Sequence, residues 1–186
     1  IKFKKNKYIP DIVMKTLPVY ESNQNQSPVN FRKIEVDDQK IYFDAEYALN
    51  VTKTYLKRLP KGKESLPGKS VLELGPGINF GVALSIKALG AKSVTVSDRF
   101  LSPLQESYHP RLYSKLAELI LEYDPQADAS VFERYVHGRS HEIVHSTCLP
   151  LEQIDSDNHK YDITLSNAVF EHLFDPNNAI VSLYNI

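Results

Sequence analysis

The sequence predicts an α/β fold in which helices pack against a parallel sheet, and two observations indicate it. Runs of four or five apolar and β-branched residues alternate along the chain with stretches whose apolar residues recur every three or four positions. This alternation is typical of right-handed βαβ units, which build parallel sheets. The second observation is a glycine cluster, Gly75, Gly77 and Gly81, between the first strand signal and the following helix. Glycines there let the backbone turn tightly and approach a ligand.

The composition fits one globular domain and argues against several classes of protein. Of the 186 residues, 42% are hydrophobic, which is enough for a sizeable core. The formal net charge is −1, which argues against non-specific binding to nucleic acid. No apolar stretch is long enough to span a bilayer, so we expect no membrane partner. The single cysteine, Cys148, excludes an internal disulfide and fits a reducing compartment, so we expect a cytoplasmic protein.

Residues 1–45 differ from the rest of the chain, and we predict an N-terminal arm or lid before a domain at 46–186. Lysines outnumber acidic residues in the first fifteen positions, where Asp11 is the one acid, and the polar run 21–28 is typical of a loop. A solvated arm and a lid over a binding site both fit, and the solvated arm is the simpler interpretation.

The first half of the domain alternates helix and strand. Apolar residues recur at helical spacing over 46–59, and the segment 60–68, with its prolines and glycines, ends that helix. Strands are predicted at Ser70–Leu74, from its continuous apolar run, and at Ser93–Ser97, from its β-branched residues. Between them, a helical spacing of apolar residues stops at Gly90.

The second half continues this alternation. Pro110 suits the first turn of a helix whose apolar residues reach Tyr123, whereas 124–139 gives no clear signal, as an insertion would. Third and fourth strands are predicted at 142–146 and 162–166. Asp175 and Pro176 then open a helix as N-cap and first-turn proline. The residues predicted for its buried side are Ala179, Ile180, Leu183 and Tyr184.

The glycine cluster predicts a nucleotide site. The helix after the loop offers unpaired N–H groups and the positive end of its dipole to an anionic group. Asp98 follows the second strand, where a carboxylate can accept hydrogen bonds from the hydroxyls of an adenosine ribose. The alternative is that the glycines only form a tight turn and that Asp98 only caps backbone. The order strand, loop, helix, strand and acid favours the nucleotide.

Two motifs in this chain resemble the class I (Rossmann-like) S-adenosylmethionine-dependent methyltransferases that act on small molecules. The family's first motif, E/D-x-G-x-G-x-G, is similar to Glu-Leu-Gly-Pro-Gly at 73–77, with Asn79 at the third glycine. Asparagine tolerates left-handed backbone angles better than most residues. The segment 160–176, with Glu-His and Asp-Pro after a strand, resembles the family's fourth strand and the turn that follows. The resemblance covers residues 70–180.

The resemblance implies a three-layer αβα Rossmann-like parallel sheet. A complete sheet of this family has three strands after the fourth, and only residues 177–186 follow here. We therefore expect a sheet truncated after its fourth strand.

The resemblance also implies a site for S-adenosylmethionine, which leaves as S-adenosylhomocysteine. The loop after the first strand would line the methionine part, the acid after the second strand would hold the ribose, and its neighbours would flank the adenine. Residues after the third strand would lie near the adenine edge, and the end of the fourth strand would face the methyl group. The cofactor-binding residues implied are Glu73, Gly75, Pro76, Gly77, Asn79, Asp98, Arg99, Phe100, Thr147, Cys148 and Asn167.

Methyl transfer from a sulfonium requires an aligned nucleophile and, for some acceptors, a base. Asn167 and His172 are the candidate catalytic residues, His172 as the base because imidazole titrates near neutrality. Each residue also has a purely structural interpretation. Asn167 could simply form a turn, and His172 could simply hydrogen-bond backbone groups at the start of a helix. The tetrapeptide 166–169 is not Asn/Asp-Pro-Pro-Tyr, which argues against methylation of base or amide nitrogens by enzymes with that signature. It also contains no Pro-Cys nucleophile, which argues against methylation of cytosine C5. We predict transfer to an O, N or C atom of a small-molecule acceptor.

Two alternative functions stay open. One is a non-catalytic methyltransferase-like module, and the other is an NAD-dependent oxidoreductase, whose G-x-G-x-x-G spacing differs from the spacing here. His137, His141 and His145 recur every four residues, but Gly138 interrupts a helix and no carboxylate pattern accompanies them, so we predict no metal site.

Overall fold

The structure is a computed structural model that describes residues 36–98, 104–138, 161–173 and 175–184, and the backbone of 144–147. Its helices and strands, in chain order, are α1 (Asp38–Arg58), β1 (Ser70–Leu74), α2 (Gly81–Ala88), β2 (Ser93–Ser97), α3 (His109–Tyr123), α4 (Ser130–Val136), β3 (Val144–Thr147), β4 (Ile163–Ser166) and α5 (Pro176–Tyr184). Short 3-10 helices occupy Gly62–Ser65 and Phe170–His172.

The four strands form one parallel sheet in the order β3-β2-β1-β4. From β1 the chain proceeds outward through β2 to β3 and then returns to the other side of β1 to form β4. This is the beginning of the Rossmann strand order, so the predicted Rossmann-like sheet is confirmed. The reversal creates a crevice at the carboxyl ends of β1 and β4, where ligands bind in open α/β sheets.

Different helices cover the two faces of the sheet, which gives three layers. On one face, Val71 and Val94 belong to a core shared with α1, α2, α3 and α4. On the other face, Leu72 and Leu74 pack against Ala179 of α5. Neighbouring residues of a strand point to opposite faces, so one strand can supply both cores. None of the described helices is both long and apolar enough to cross a membrane.

Helix α1 begins at Asp38, before residue 46, where the helical spacing becomes clear in the sequence. Asp37 is its N-cap, and the Asp37 carboxylate accepts a hydrogen bond of 2.6 Å from the N–H of Lys40. Ile41 and Ala45 extend the buried face of α1. Because Tyr42 and Phe43 are apolar but exposed, the helical spacing of buried residues is hard to recognise in the sequence there. Residues 38–45 are therefore part of a helix that packs on the domain core.

Helix α4 lies in the segment 124–139, which shows no clear helix or strand signal in the sequence. It is only seven residues long and buries the adjacent pair Val131 and Phe132, so it shows no periodic apolar pattern. Strand β3 is described at Val144–Thr147, and residues 142 and 143 of the predicted strand are outside the described residues. Strand β4 begins at Ile163, one residue later than predicted.

Helix α5 has the predicted N-cap, because the Asp175 carboxylate accepts a 3.0 Å hydrogen bond from the N–H of Asn178. The prediction of its buried side is partly wrong. Ala179 is fully buried, but Ile180 is 51% and Tyr184 is 90% exposed. The helix contacts the sheet along Ala179 and Leu183, and the next residue lies about 100° further around the helix.

Candidate functional site

The carboxyl ends of the four strands lie level with one another. Leu74 is paired in register with Ser97 on one side and with Ser166 on the other, and Ser97 is paired with Thr147. Parallel strands therefore bring the residues that follow them to one edge of the sheet. Those residues are Gly75, Asp98 and Asn167.

The loop after β1 turns at two glycines in the left-handed region, Gly75 with φ of 65° and Gly77 with φ of 74°. Their surroundings differ. A Cβ at Gly75 would lie 2.3 Å from Cγ2 of Val169, whereas a Cβ at Gly77 would meet no described atom within 4 Å. The absence of a side chain at Gly75 thus lets the segment after β4 pack against the loop, and Gly77 borders open space. Pro76, between them, is half-buried.

Asn79 acts through its side chain. Its backbone is not in the left-handed region, because Ala168 is the only non-glycine described residue with positive φ. Oδ1 of Asn79 accepts a 2.9 Å hydrogen bond from the N–H of Gly81, and Nδ2 donates to the Tyr108 hydroxyl at 3.4 Å. Asn79 therefore caps the first turn of α2. Gly81 serves close packing, since a Cβ there would lie 3.0 Å from that of Ala48 in α1.

Three successive N–H groups of the loop are available to a ligand. No described residue accepts a hydrogen bond from the N–H of Gly77, Ile78 or Asn79. Gly77 and Ile78 are also exposed. Unpaired N–H groups in a loop that enters a helix favour an anionic group such as a carboxylate.

Glu73 lies beneath this loop. It shares a face of β1 with Val71, under the helices, and is only 4% exposed. The N–H of Ala83 in α2 hydrogen-bonds the carboxyl group, and Oε2 has no partner among the described residues. Burial raises the pKa of the Glu73 carboxyl to about 8, because a charge is poorly solvated there. The protonated form therefore predominates at neutral pH.

The end of β2 is joined to the loop, because the N–H of Gly75 donates to the carbonyl of Ser97 at 2.8 Å. Asp98 comes next and is half-buried. The backbone of Thr147 lies at the same edge, at the end of β3. The predicted site residues Arg99, Phe100 and Cys148, and the side chain of Thr147, are outside the described part of the chain.

The turn after β4 lies at the other side of the crevice. Asn167 is exposed, and its Nδ2 donates to the hydroxyl of Tyr47 in α1 at 3.4 Å. Ala168 then takes a left-handed conformation, φ 56°, which is strained for a residue with a Cβ. Val169 follows and packs against the loop at Gly75. The structure thus places Asn167 beside the glycine loop.

His172, the candidate base, is exposed at the end of a 3-10 helix. No described residue forms a hydrogen bond with its imidazole. The described chain therefore does not hold this ring in a fixed orientation.

Sequence reasoning missed the residues at the N-cap and start of α3 that contact the loop, and the residue of α1 that bonds one of them. Tyr108, His109 and Tyr113 are all buried, and each hydrogen-bonds one residue of the loop segment 78–80. Burial also raises the pKa of both tyrosines, so their hydroxyls stay protonated. Asp44 of α1 accepts a 2.6 Å hydrogen bond from the Tyr108 hydroxyl. One signal was present in the sequence: polar aromatic residues stand near the start of a helix whose other buried residues are all leucine or isoleucine.

No three His, Cys, Asp or Glu residues in the described ranges are grouped to hold a metal ion. Of the three histidines at four-residue spacing, His137 is exposed. His141 and the side chain of His145 are outside the described residues.

No protein-family model matches this sequence, and no curated protein matches it. Among solved structures, the chain is similar to protein arginine methyltransferase 10 of Arabidopsis thaliana, with 17% sequence identity and a TM-score of 0.40. The similarity covers 78% of this chain and 34% of that one. This chain thus corresponds to 34% of that protein's length, and at this level the similarity identifies neither a reaction nor a substrate.

Proposed function

We propose that this chain binds S-adenosylmethionine and transfers its methyl group to an O, N or C atom of a small-molecule acceptor. The observation that carries the proposal is the crevice between β1 and β4. At its edge lie a glycine loop with three N–H groups from which no described residue accepts a hydrogen bond and, after β2, the side chain of Asp98. The choice of this cofactor over other nucleotides is supported by the loop sequence at 73–77, which resembles the first motif of class I methyltransferases.

Each part of the crevice suits one part of the cofactor. The N–H groups of Gly77, Ile78 and Asn79 would bind the carboxylate of the methionine part, because they have no other described acceptor. Asp98 would accept hydrogen bonds from the ribose hydroxyls. When bound, S-adenosylmethionine supplies an activated methyl group, so the chain's main task is to orient the acceptor.

The turn after β4 is the proposed acceptor side. Asn167 and Tyr47 are joined by a hydrogen bond, and both are exposed. An amide and a phenol hydroxyl at this position can orient a polar acceptor by hydrogen bonds. His172 would serve as base only for acceptors that must lose a proton.

A non-catalytic nucleotide-binding module is the second candidate. The observation that favours it is His172, whose ring forms no hydrogen bond with a described residue. A base that is not oriented contributes little to proton transfer. Such a module would bind the cofactor and its product without transferring a methyl group.

Titration calorimetry with S-adenosylhomocysteine and, separately, NAD tests the binding claim. We expect binding of S-adenosylhomocysteine and a loss of about tenfold or more in affinity for Asp98→Ala, because charged hydrogen bonds to the ribose disappear. Asp38→Ala is the matched control, since the Asp38 side chain is 98% exposed and its ion-pair partner is Arg111. Binding of NAD alone, or unchanged affinity in Asp98→Ala, would refute the proposed site.

Transfer itself is tested with methyl-labelled S-adenosylmethionine and a cell extract divided by size. Label in the low-molecular-mass fraction supports a small-molecule acceptor, and label in the protein fraction contradicts it. Binding without transfer to either fraction would support the non-catalytic module.

A further inference from the structure

We propose that His109 is a positioning residue for the glycine loop, in which its Nε2–H holds the carbonyl of Ile78 and thereby directs the N–H of Asn79 toward the ligand. The inference rests on the proposed nucleotide site and adds a residue that orients that site. His109 is the first residue of α3 and is 2% exposed.

The hydrogen bonds of His109 define its tautomer. Nδ1 lies 2.8 Å from the backbone N of Gln105, and Nε2 lies 2.9 Å from the carbonyl oxygen of Ile78. A backbone N–H can only donate, so Nδ1 accepts. Nε2 therefore carries the hydrogen and donates it to the Ile78 carbonyl. Both ring nitrogens are satisfied in one neutral tautomer.

Holding the Ile78 carbonyl fixes the next N–H. The carbonyl of Ile78 and the N–H of Asn79 belong to one planar peptide, and no described peptide bond is cis. In a trans peptide these two groups point in opposite directions. Because the carbonyl points to buried His109, the Asn79 N–H points away from α3. Gly77, two residues earlier, allows other backbone angles, so the loop needs an external constraint.

The ring of His109 is itself held firmly. Its centroid lies 4.9 Å from that of Tyr108 and 5.6 Å from that of Tyr113. These two tyrosines hold the neighbouring loop residues, since Tyr108 accepts from Nδ2 of Asn79 and Tyr113 accepts from the N–H of Phe80. Three successive residues of the loop are thus tied to one helix. A buried polar network that is fully satisfied favours a single conformation.

Two substitutions separate the loop contact from the contact with Gln105. His109→Gln places an amide nitrogen near the position of Nε2 and can still donate to Ile78. His109→Asn places its amide near Nδ1, so it keeps an acceptor for Gln105 but leaves the Ile78 carbonyl without a donor. We expect S-adenosylhomocysteine affinity to stay within about threefold of wild type in His109→Gln and to fall about tenfold or more in His109→Asn. Equal affinities in the two variants would overturn the proposal.

Amide hydrogen exchange of the loop tests the same point without a ligand. We expect the segment 75–80 to exchange faster in His109→Asn than in His109→Gln. Equal exchange in both would refute the constraint on the loop. If wild type does not bind S-adenosylhomocysteine, the proposed function fails, and this comparison still decides the role of His109.

A third measurement needs no variant and therefore does not depend on whether either variant folds. The nitrogen-15 chemical shifts of the His109 ring in wild type should report the neutral Nε2–H tautomer. An Nδ1–H tautomer would overturn the proposal, because Nε2 could then not donate to the carbonyl.

Discussion

At the scale of single residues, Glu73 gives the fold a distinctive dependence on pH. Its pKa is raised by burial from 4.5 to about 8. Between these two values the folded state keeps a proton that the unfolded state has released. The stability contributed by this proton is complete below the unfolded pKa and is lost as pH rises through the folded pKa.

We predict that the free energy of unfolding falls between pH 5 and pH 8 in wild type, by up to about 1.4 kcal/mol per pH unit, and that Glu73→Gln largely removes this fall. Glutamine fills the same space and cannot ionise. Urea unfolding at several pH values measures the slopes. Glu64→Gln, at an exposed glutamate, should keep the wild-type slope. Equal slopes in wild type and Glu73→Gln would contradict the buried-carboxyl account.

Gly75 and Val169 form the second residue-scale prediction. Gly75→Ala combines backbone strain with a clash against Cγ2 of Val169, whereas Gly77→Ala introduces strain only. We expect Gly77→Ala to cost roughly 1–2 kcal/mol of unfolding free energy and Gly75→Ala clearly more. Val169→Ala should restore part of the Gly75→Ala loss, because it removes the clashing methyl group. Strictly additive effects in this double-mutant cycle would show that the two residues do not touch.

At the scale of secondary-structure elements, α1 is connected to the loop through α3. The Asp44 carboxylate accepts from the Tyr108 hydroxyl at 2.6 Å and from Nζ of Lys40 at 2.8 Å. The same hydroxyl accepts from Nδ2 of Asn79. The position of α1 thus affects the cap of α2, although α1 precedes the sheet in the chain.

We expect Tyr108→Phe to lower the free energy of unfolding by about 1–2 kcal/mol, because Asp44 and Asn79 both lose a buried partner. Tyr42→Phe is the control, since the Tyr42 hydroxyl bonds Glu46 at an exposed position of α1. This control should change stability by less than about 0.5 kcal/mol. Urea unfolding of both variants decides the point, and equal losses would contradict a special role for Tyr108.

At the scale of the whole molecule, α5 is the described helix that covers the second face of the sheet. Its contact depends on Ala179, which is fully buried against Leu72 and Leu74, while the adjacent Ile180 points outward. A charged side chain at position 179 would have to be buried, whereas a charged side chain at position 180 would remain in contact with water.

Ala179→Asp should therefore lower the free energy of unfolding by about 2 kcal/mol or more, whereas Ile180→Asp should change it by less than about 0.5 kcal/mol. Thermal or urea unfolding of the two variants measures the difference. A larger loss for Ile180→Asp would show that α5 packs through a different face.

The sequence predicted the fold well where signals are local and strong. Strands β1 and β2 have the predicted bounds, and Pro110 and Asp175 stand at helix starts as expected. Prediction was weaker where the apolar pattern covers few residues or includes apolar residues that are exposed. Helix α4 has too few residues to show a period, and the exposed aromatic residues Tyr42 and Phe43 mask the first turns of α1.

The sequence by itself determined the order of strands and helices and identified residues that follow strand ends, including Gly75 and Asp98. It could do so because apolar periodicity, turn glycines and first-turn prolines act over a few neighbouring residues. Only the tertiary structure decided which side chains hold the loop. The bond from His109 to Ile78 spans 31 positions and that from Tyr108 to Asp44 spans 64. Such contacts depend on how whole helices pack, and no repeat in the sequence encodes them.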